Sequence, residues 1–190
     1  GIPIVVDIVN KGNSTKTMRG LMDSQLGVHP DAWMPGMAPQ RFRWGKNMAN
    51  PSFTVTNGER TPGKVAIYAT CYVNYNEPGI GNDLIKLLDH NQIPWEIVEK
   101  EQCCGMPKLE LGDLPAVERA KDANIPVLAK YARAGWAIVT PVPSCTLMFK
   151  QELPLMFPDE ADVQLVKASM WDPFEYLTAR NRDGLLKTDF

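Results

Sequence analysis

Residues 64–71 read KVAIYATC, a short apolar run that ends at a cysteine. Two later stretches repeat this arrangement, PWEIVEKEQCCG at 94–105 and WAIVTPVPSC at 136–145. Short, nearly continuous apolar runs are typical of parallel strands that are buried on both faces of a sheet. From residue 64 onward the chain therefore predicts an α/β domain, with a short parallel sheet, cysteine loops at the strand ends and helices on both faces, which makes three layers.

The segments that separate and follow these strands have the apolar spacing of helices. Predicted helices span 82–92, 114–135, 144–153 and 172–182. Pro126 is expected to break or kink the second helix. Ser144 is expected to cap the third, and Asp172 to cap the fourth ahead of a proline. Residues 162–169 fit either a strand or a helix.

The first part of the chain differs in character. Residues 15–26 have helical spacing, and Ser14 is placed to cap that helix. The proline-rich stretch that follows predicts an irregular arm, and the polar sequence TNGERTPG at 56–63 predicts a boundary. We therefore expect an N-terminal helical, proline-rich arm at 1–63 and a cysteine-rich domain at 64–190.

The composition excludes several classes of function. The 190-residue chain has a net charge of -2 and 22% charged residues, so it lacks the basic surface that nucleic-acid binding needs. No apolar run approaches the roughly 20 residues needed to cross a bilayer, and the opening GIPIVVDIVNKG lacks the pattern of a signal peptide. Because the first residue is Gly rather than Met, we expect the chain to be part of a longer protein.

All four cysteines follow the predicted strands. Cys71 follows the first, Cys103 and Cys104 the second, and Cys145 the third. Strands joined by helical crossovers run parallel, so their carboxyl ends share one edge, where open α/β sheets place their ligands. We therefore expect the four thiols to converge, although any one cysteine taken alone could be a small buried apolar residue.

Converging thiols in a chain with two histidines predict a particular chemistry. Soft thiolate ligands suit an iron–sulfur cluster first and zinc second. A disulfide framework is not expected, because 44% of the residues are hydrophobic and can form a core without it. Cys145 near a helix start would have its thiolate favoured by backbone N–H groups, and Gly105 would let the backbone approach a bulky group.

The cysteine pattern resembles that of a known family. Thirty-one residues separate Cys71 from Cys103, and forty separate Cys104 from Cys145. This spacing, with EQCCGMPKLELGDL at 101–114 and PVPSCTLMFKQELPLMFP at 141–158, is similar to the CCG, or cysteine-rich, domain. That family includes a subunit of heterodisulfide reductase, a subunit of anaerobic glycerol-3-phosphate dehydrogenase and the iron–sulfur subunit of glycolate oxidase.

The resemblance implies an iron–sulfur-binding, electron-transfer domain of an oxidoreductase rather than an independent catalyst. It implies a [4Fe-4S] cluster on Cys71, Cys103, Cys104 and Cys145. It also implies a larger multi-cluster protein with a ferredoxin-type module and a second cysteine-rich domain, which works beside a flavin dehydrogenase subunit. Such a protein is expected in the cytoplasm and at the inner membrane through its partners, with no membrane span of its own.

One residue departs from the family motif, which ends C-x-x-C. Here Met148 stands at the last ligand position. A thioether is a weak ligand, and at this helical spacing Met148 is expected to pack instead. Four thiolates still suffice for an ordinary four-iron cluster. There are two alternatives. One is a degenerate cysteine-rich scaffold that docks a partner dehydrogenase, and the other is a structural zinc site.

Overall fold

The computed structural model describes residues 3–43 and 47–189. In chain order its helices and strands are α1 (Pro3–Asn13), α2 (Lys16–Leu26), β1 (Ala49–Asn50), β2 (Val65–Ile67), α3 (Thr70–Tyr75), α4 (Pro78–His90), β3 (Trp95–Ile97), α5 (Met106–Glu110), α6 (Leu114–Arg133), β4 (Ala137–Val139), α7 (Pro143–Leu147), a π-helical turn (Met148–Glu152), α8 (Leu153–Met156), α9 (Ala161–Ser169), β5 (Met170–Trp171) and α10 (Pro173–Arg182).

The strands form one mostly parallel sheet in the order β1-β3-β2-β4-β5. The three predicted strands are its centre: β2 pairs in parallel with β3 on one side and with β4 on the other, so that Val65 lies opposite both Trp95 and Ala137. β5 adds a parallel edge, and β1 pairs antiparallel with β3 at the other edge. The carboxyl ends of the three central strands therefore lie at one edge of the sheet.

Side chains of the central strands alternate between two cores. Ala66 and Ile138 lie in a core formed with α6, the π-helical turn and α9. Val65, Ile67 and neighbouring strand residues lie in a second core, formed with α4 and α10 on the opposite face. Every residue of β2 and β4 is buried, which explains why both strands appear as unbroken apolar runs. The predicted three-layer α/β architecture is confirmed.

The arm contributes to both the sheet and the second core. Phe42 is fully buried there, and a Cβ added at Gly81 of α4 would lie 2.5 Å from Phe42 Cε2. The backbone N–H groups of Ala38 and Phe42 donate to carbonyls at the end of α3 at 2.7 and 3.1 Å. Trp33, by contrast, is 78% exposed. Phe42 thus anchors this part of the arm.

Several local predictions need correction. The opening residues form α1, which the sequence analysis did not predict, and Thr15 rather than Ser14 caps α2. Pro126 lies inside α6 without ending it. α7 begins at Pro143 with no side-chain cap, so the predicted role of Ser144 is wrong.

The C-terminal elements settle one ambiguity and confirm one prediction. Residues 161–169 are helical, because Val163 and Val166 are one helical turn apart and both reach the first core. Asp172 accepts from two backbone N–H groups at the start of α10 in a capping box, as predicted. Across residues 3–43 and 47–189, none of the helices combines the length and apolar character that crossing a bilayer requires.

Candidate metal centre

Cys71 lies in the first turn of α3, directly after β2, with its side chain exposed. The turn starts at Thr70, a buried residue at φ 70°, where β-branched residues are rarely found. Thr70 Oγ1 accepts from the N–H of Val73 at 3.3 Å, and the N–H of Ala69 donates to the Glu101 carboxylate at 2.8 Å. These bonds hold the sharp turn that places Cys71 at the sheet edge.

The Cys103-Cys104-Gly105 loop follows β3 and leads into α5. Gly105 has φ 97°, and a side-chain carbon added there would lie 3.2 Å from Ala120 Cβ. Both the backbone conformation and the close approach to α6 therefore require glycine. Cys103 is exposed whereas Cys104 is 3% exposed, so the adjacent thiols lie in different environments.

Two buried polar side chains hold this loop, and the sequence analysis missed both. Asn124, in the middle of α6, accepts from the N–H of Gln102 at 2.9 Å and donates to the carbonyl of Cys103 at 3.0 Å. The Tyr68 hydroxyl donates to the carbonyl of Gln102. Burial raises the pKa of Tyr68 well above its usual value, so this hydroxyl keeps the proton that it donates. The sequence signal was an Asn within a predicted helix, and the structure shows that this Asn is 1% exposed.

Cys145 lies in α7 and is 4% exposed. The helix then widens into the π-helical turn, which begins at Met148. Met148 is fully buried, and its Cε would lie 3.5 Å from a Cβ added at Gly105. Met148 thus packs in the first core beside the CCG loop, as its helical spacing predicted.

The four thiols meet at the carboxyl edge, as the parallel topology predicted. The side-chain interactions that shift their pKa values link Cys71 to Cys103, Cys103 to Cys104, and Cys104 to Cys145. Within the described ranges, no three His, Cys, Asp or Glu side chains are grouped as a preformed site for a metal ion. The sulfurs therefore form a row that runs from two exposed thiols to two buried ones.

Charge is unevenly distributed along this row. Cys103 accepts hydrogen bonds from Cys104 and Cys71, and these bonds lower the pKa of Cys103 far below its usual range, helped by the N–H of Gly105 and the charge of Lys108. Donation to Cys103 raises the pKa of Cys71 and of Cys104. Cys103, at the centre of the row, is therefore the thiol whose ionisation its neighbours favour.

The donor set at this edge fits an iron–sulfur cluster. The carboxylate that lies here, Glu101, is held by Arg43 with Nη2 at 2.8 Å from Oε1, and it is 7% exposed rather than a solvated loop charge. Burial raises the pKa of Glu101, and the Arg43 charge opposes that rise. Because Glu101 is paired with Arg43, the groups left to bind a metal are the cysteine sulfurs, which are the usual ligands of iron–sulfur clusters.

Comparison with known proteins identifies relatives of this arrangement. Residues 65–150 match the family model described as the cysteine-rich domain, CCG. The chain is 28% identical to a subunit of anaerobic glycerol-3-phosphate dehydrogenase of Escherichia coli (strain K12) over 149 residues, which cover 77% of this chain and 36% of that protein. It is 34% identical to lactate utilization protein A of Bacillus thuringiensis (strain Al Hakam) over 97 residues, 51% of this chain and 38% of that protein.

The matched region is thus a small part of each relative. The chain spans little more than a third of the length of the curated relatives it matches. No solved structure matches the chain significantly.

Proposed function

We propose that the domain containing residues 65–150, which match the CCG, or cysteine-rich, domain family, binds an iron–sulfur cluster and transfers electrons within a larger oxidoreductase. One observation carries the proposal. Thiols from three separate strand ends lie close enough to shift one another's pKa. Four thiolates are the usual ligands of a [4Fe-4S] cluster, so we propose Cys71, Cys103, Cys104 and Cys145 as its ligands.

The chain's own residues have distinct roles in this proposal. A bound cluster would supply one-electron transfer at a potential set by net charge, hydrogen bonds to sulfur and solvent exposure. Gly105 lets the loop backbone come close, and its N–H donates to Cys103. Lys108 adds positive charge near the same sulfur. Cys104 and Cys145 lie away from water, so the side of Cys71 and Cys103 is where we expect an electron partner to approach.

We further propose that the domain works as one part of a multi-cluster protein. The relatives are about three times as long as the matched region, and one of them is named as part of a dehydrogenase. A ferredoxin-type module and a second cysteine-rich domain would extend the electron path, and a flavin dehydrogenase subunit would supply electrons. In this proposal the protein is cytoplasmic and reaches the inner membrane through its partners.

Iron and sulfide analysis of the reduced chain, reconstituted without oxygen, tests the proposal. We expect about four irons per chain, with matching sulfide and visible absorption. Cys145→Ser should lose most of the iron, because one of four ligands is removed. Ser144→Ala is the matched control: Ser144 is exposed, makes no capping bond and adjoins the same ligand. It should keep its iron.

Other metal contents would decide against the proposal. A colourless chain with four free thiols after reconstitution would refute it. One zinc per chain that survives air would instead select a structural zinc site.

The second candidate is a degenerate scaffold that docks a partner dehydrogenase. The observation that favours it is Met148, which replaces the last cysteine ligand of the family motif with a weakly ligating thioether and packs in the first core. If Cys103→Ser and Cys104→Ser abolish electron transfer while folding and docking persist, the scaffold candidate fails.

A further inference from the structure

A cleft with a volume of 430 Å³ opens beside the two exposed thiols. Its lining includes Cys71 and Cys103 and three basic side chains, Arg41, Arg43 and Lys100. We call it the cationic cleft. Two of its basic residues come from the arm and one from the loop that precedes the CCG sequence, so it forms where those segments meet at the sheet edge.

The positive charge of the cationic cleft exceeds what the chain neutralises. Glu101 also lines it, but that carboxylate pairs with Arg43 at 2.8 Å. In the part of the chain that the structure describes, no carboxylate pairs with Arg41 or Lys100. The charge that acts on Cys103 is that of Lys108, which lies outside the cleft lining, so the cations of the cleft are a separate group.

The arm cations are held in place. The Arg41 guanidinium lies over the Tyr75 ring, 5.0 Å from its centroid. The backbone N–H of Arg43 donates to Asn74 Oδ1 at 3.4 Å, and Phe42 between the two arginines is fully buried. Asn74 and Tyr75 themselves line the cleft. These contacts place the two arm cations over α3, the helix that carries Cys71.

The backbone around the cationic cleft is strained. Among the described residues, three that are not glycine have positive φ: Thr70, Gln92 and Lys100. Two of these, Thr70 at 70° and Lys100 at 55°, line this one cleft. Such conformations persist where the surrounding structure enforces them, and they gather at binding and active sites.

We propose that the cationic cleft binds a small organic oxyanion, a carboxylate or a phosphate ester, beside the exposed thiols. Guanidinium groups recognise both oxyanions through paired N–H donors, and an ammonium adds a point charge. Asn74 supplies a further polar group in the lining. The proposal extends the proposed function by naming a ligand class at the same edge, but it rests on the chain's own cations and not on iron.

Thiol alkylation on the whole, reduced, metal-free chain tests it. The probes are iodoacetate, which is an anion, and iodoacetamide, its neutral analogue, and the readout is the ratio of their rates at Cys71 and Cys103. We expect Arg41→Gln with Lys100→Gln to lower that ratio about threefold or more, as loss of two exposed charges allows. Arg43 is left unchanged because Glu101 would lose its buried partner. Lys64→Gln, at the opposite end of β2, is the control of equal charge type and should keep the ratio.

Protection experiments complete the test. Inorganic phosphate and propionate, each at millimolar concentration, compete with iodoacetate in the parent chain. Protection by phosphate alone assigns a phosphate ester, protection by propionate alone a carboxylate, and protection by both an oxyanion of either kind. The proposal is overturned if the double variant has the same rate ratio as the parent chain. It is also overturned if the ratio falls but neither phosphate nor propionate slows alkylation by iodoacetate. Because no iron is present, these outcomes are independent of the iron analysis.

Discussion

Two glycines of α4 allow the anchoring of the arm to be measured. Both substitutions are Gly→Ala in the same helix. A Cβ at Gly79 meets nothing within 4 Å, whereas a Cβ at Gly81 would lie 2.5, 2.7 and 2.8 Å from three atoms of the Phe42 ring. The pair therefore separates the helix propensity of alanine from the contact with the arm.

The two substitutions are expected to change the free energy of unfolding in opposite directions. Ala is favoured over Gly inside a helix by about 0.5–1 kcal/mol, so Gly79→Ala should stabilise the chain by up to that amount. Carbon atoms pack best at roughly 3.5–4.0 Å, so the Phe42 ring must move by about 1 Å to admit Gly81→Ala. Overpacking of this kind costs about 1–3 kcal/mol. Gly81→Ala should therefore lie about 1–3 kcal/mol below Gly79→Ala in free energy of unfolding.

Urea unfolding followed by circular dichroism measures the difference. Phe42→Leu provides the cross-check, because a smaller side chain makes room for the new methyl group. The double variant Phe42→Leu with Gly81→Ala should be more stable than the sum of the single effects by over about 0.5 kcal/mol. If Gly81→Ala stabilises the chain as much as Gly79→Ala does, then Phe42 does not pack on α4 and the placement of the arm is refuted.

Three further outcomes follow from the structure. In air, the metal-free chain should form a Cys71–Cys103 disulfide, since these hydrogen-bonded thiols are the exposed pair; peptide mapping that finds Cys103 joined elsewhere would contradict this. Asp172→Ala should cost about 1 kcal/mol in urea unfolding, because α10 loses its capping box. Burial raises the pKa of Tyr176 to about 12, so stability should fall as pH rises from about 10, and Tyr176→Phe should reduce that loss.

The central sheet was predictable because a strand that is buried on both faces has an unbroken run of apolar residues. Val65, Ala66 and Ile67 face opposite cores in turn, yet all are apolar. Parallel topology then placed the thiols without any contact information. The same logic failed for Phe42, because a lone aromatic residue in a proline-rich stretch has no period from which its burial could be inferred.

The details of the candidate site were less accessible. Asn124 holds the CCG loop through bonds to residues 21 and 22 positions away, and such long-range polar contacts leave no periodic signal. α1 was missed although Ile4 and Ile8 have helical spacing, because its apolar residues are the β-branched Ile and Val, which have weak helix propensity. The cap expected at Ser144 failed because Pro143 already suits the first helical position.

The two-residue strand β1 has a consequence for any shortened form of this protein. It is the antiparallel neighbour that covers the outer side of β3. A chain starting at residue 64 would leave those β3 peptide groups without partners, and an uncovered strand of this kind recruits another copy of itself. We expect such a fragment to self-associate through β3, which would be seen as an increase in apparent mass with concentration.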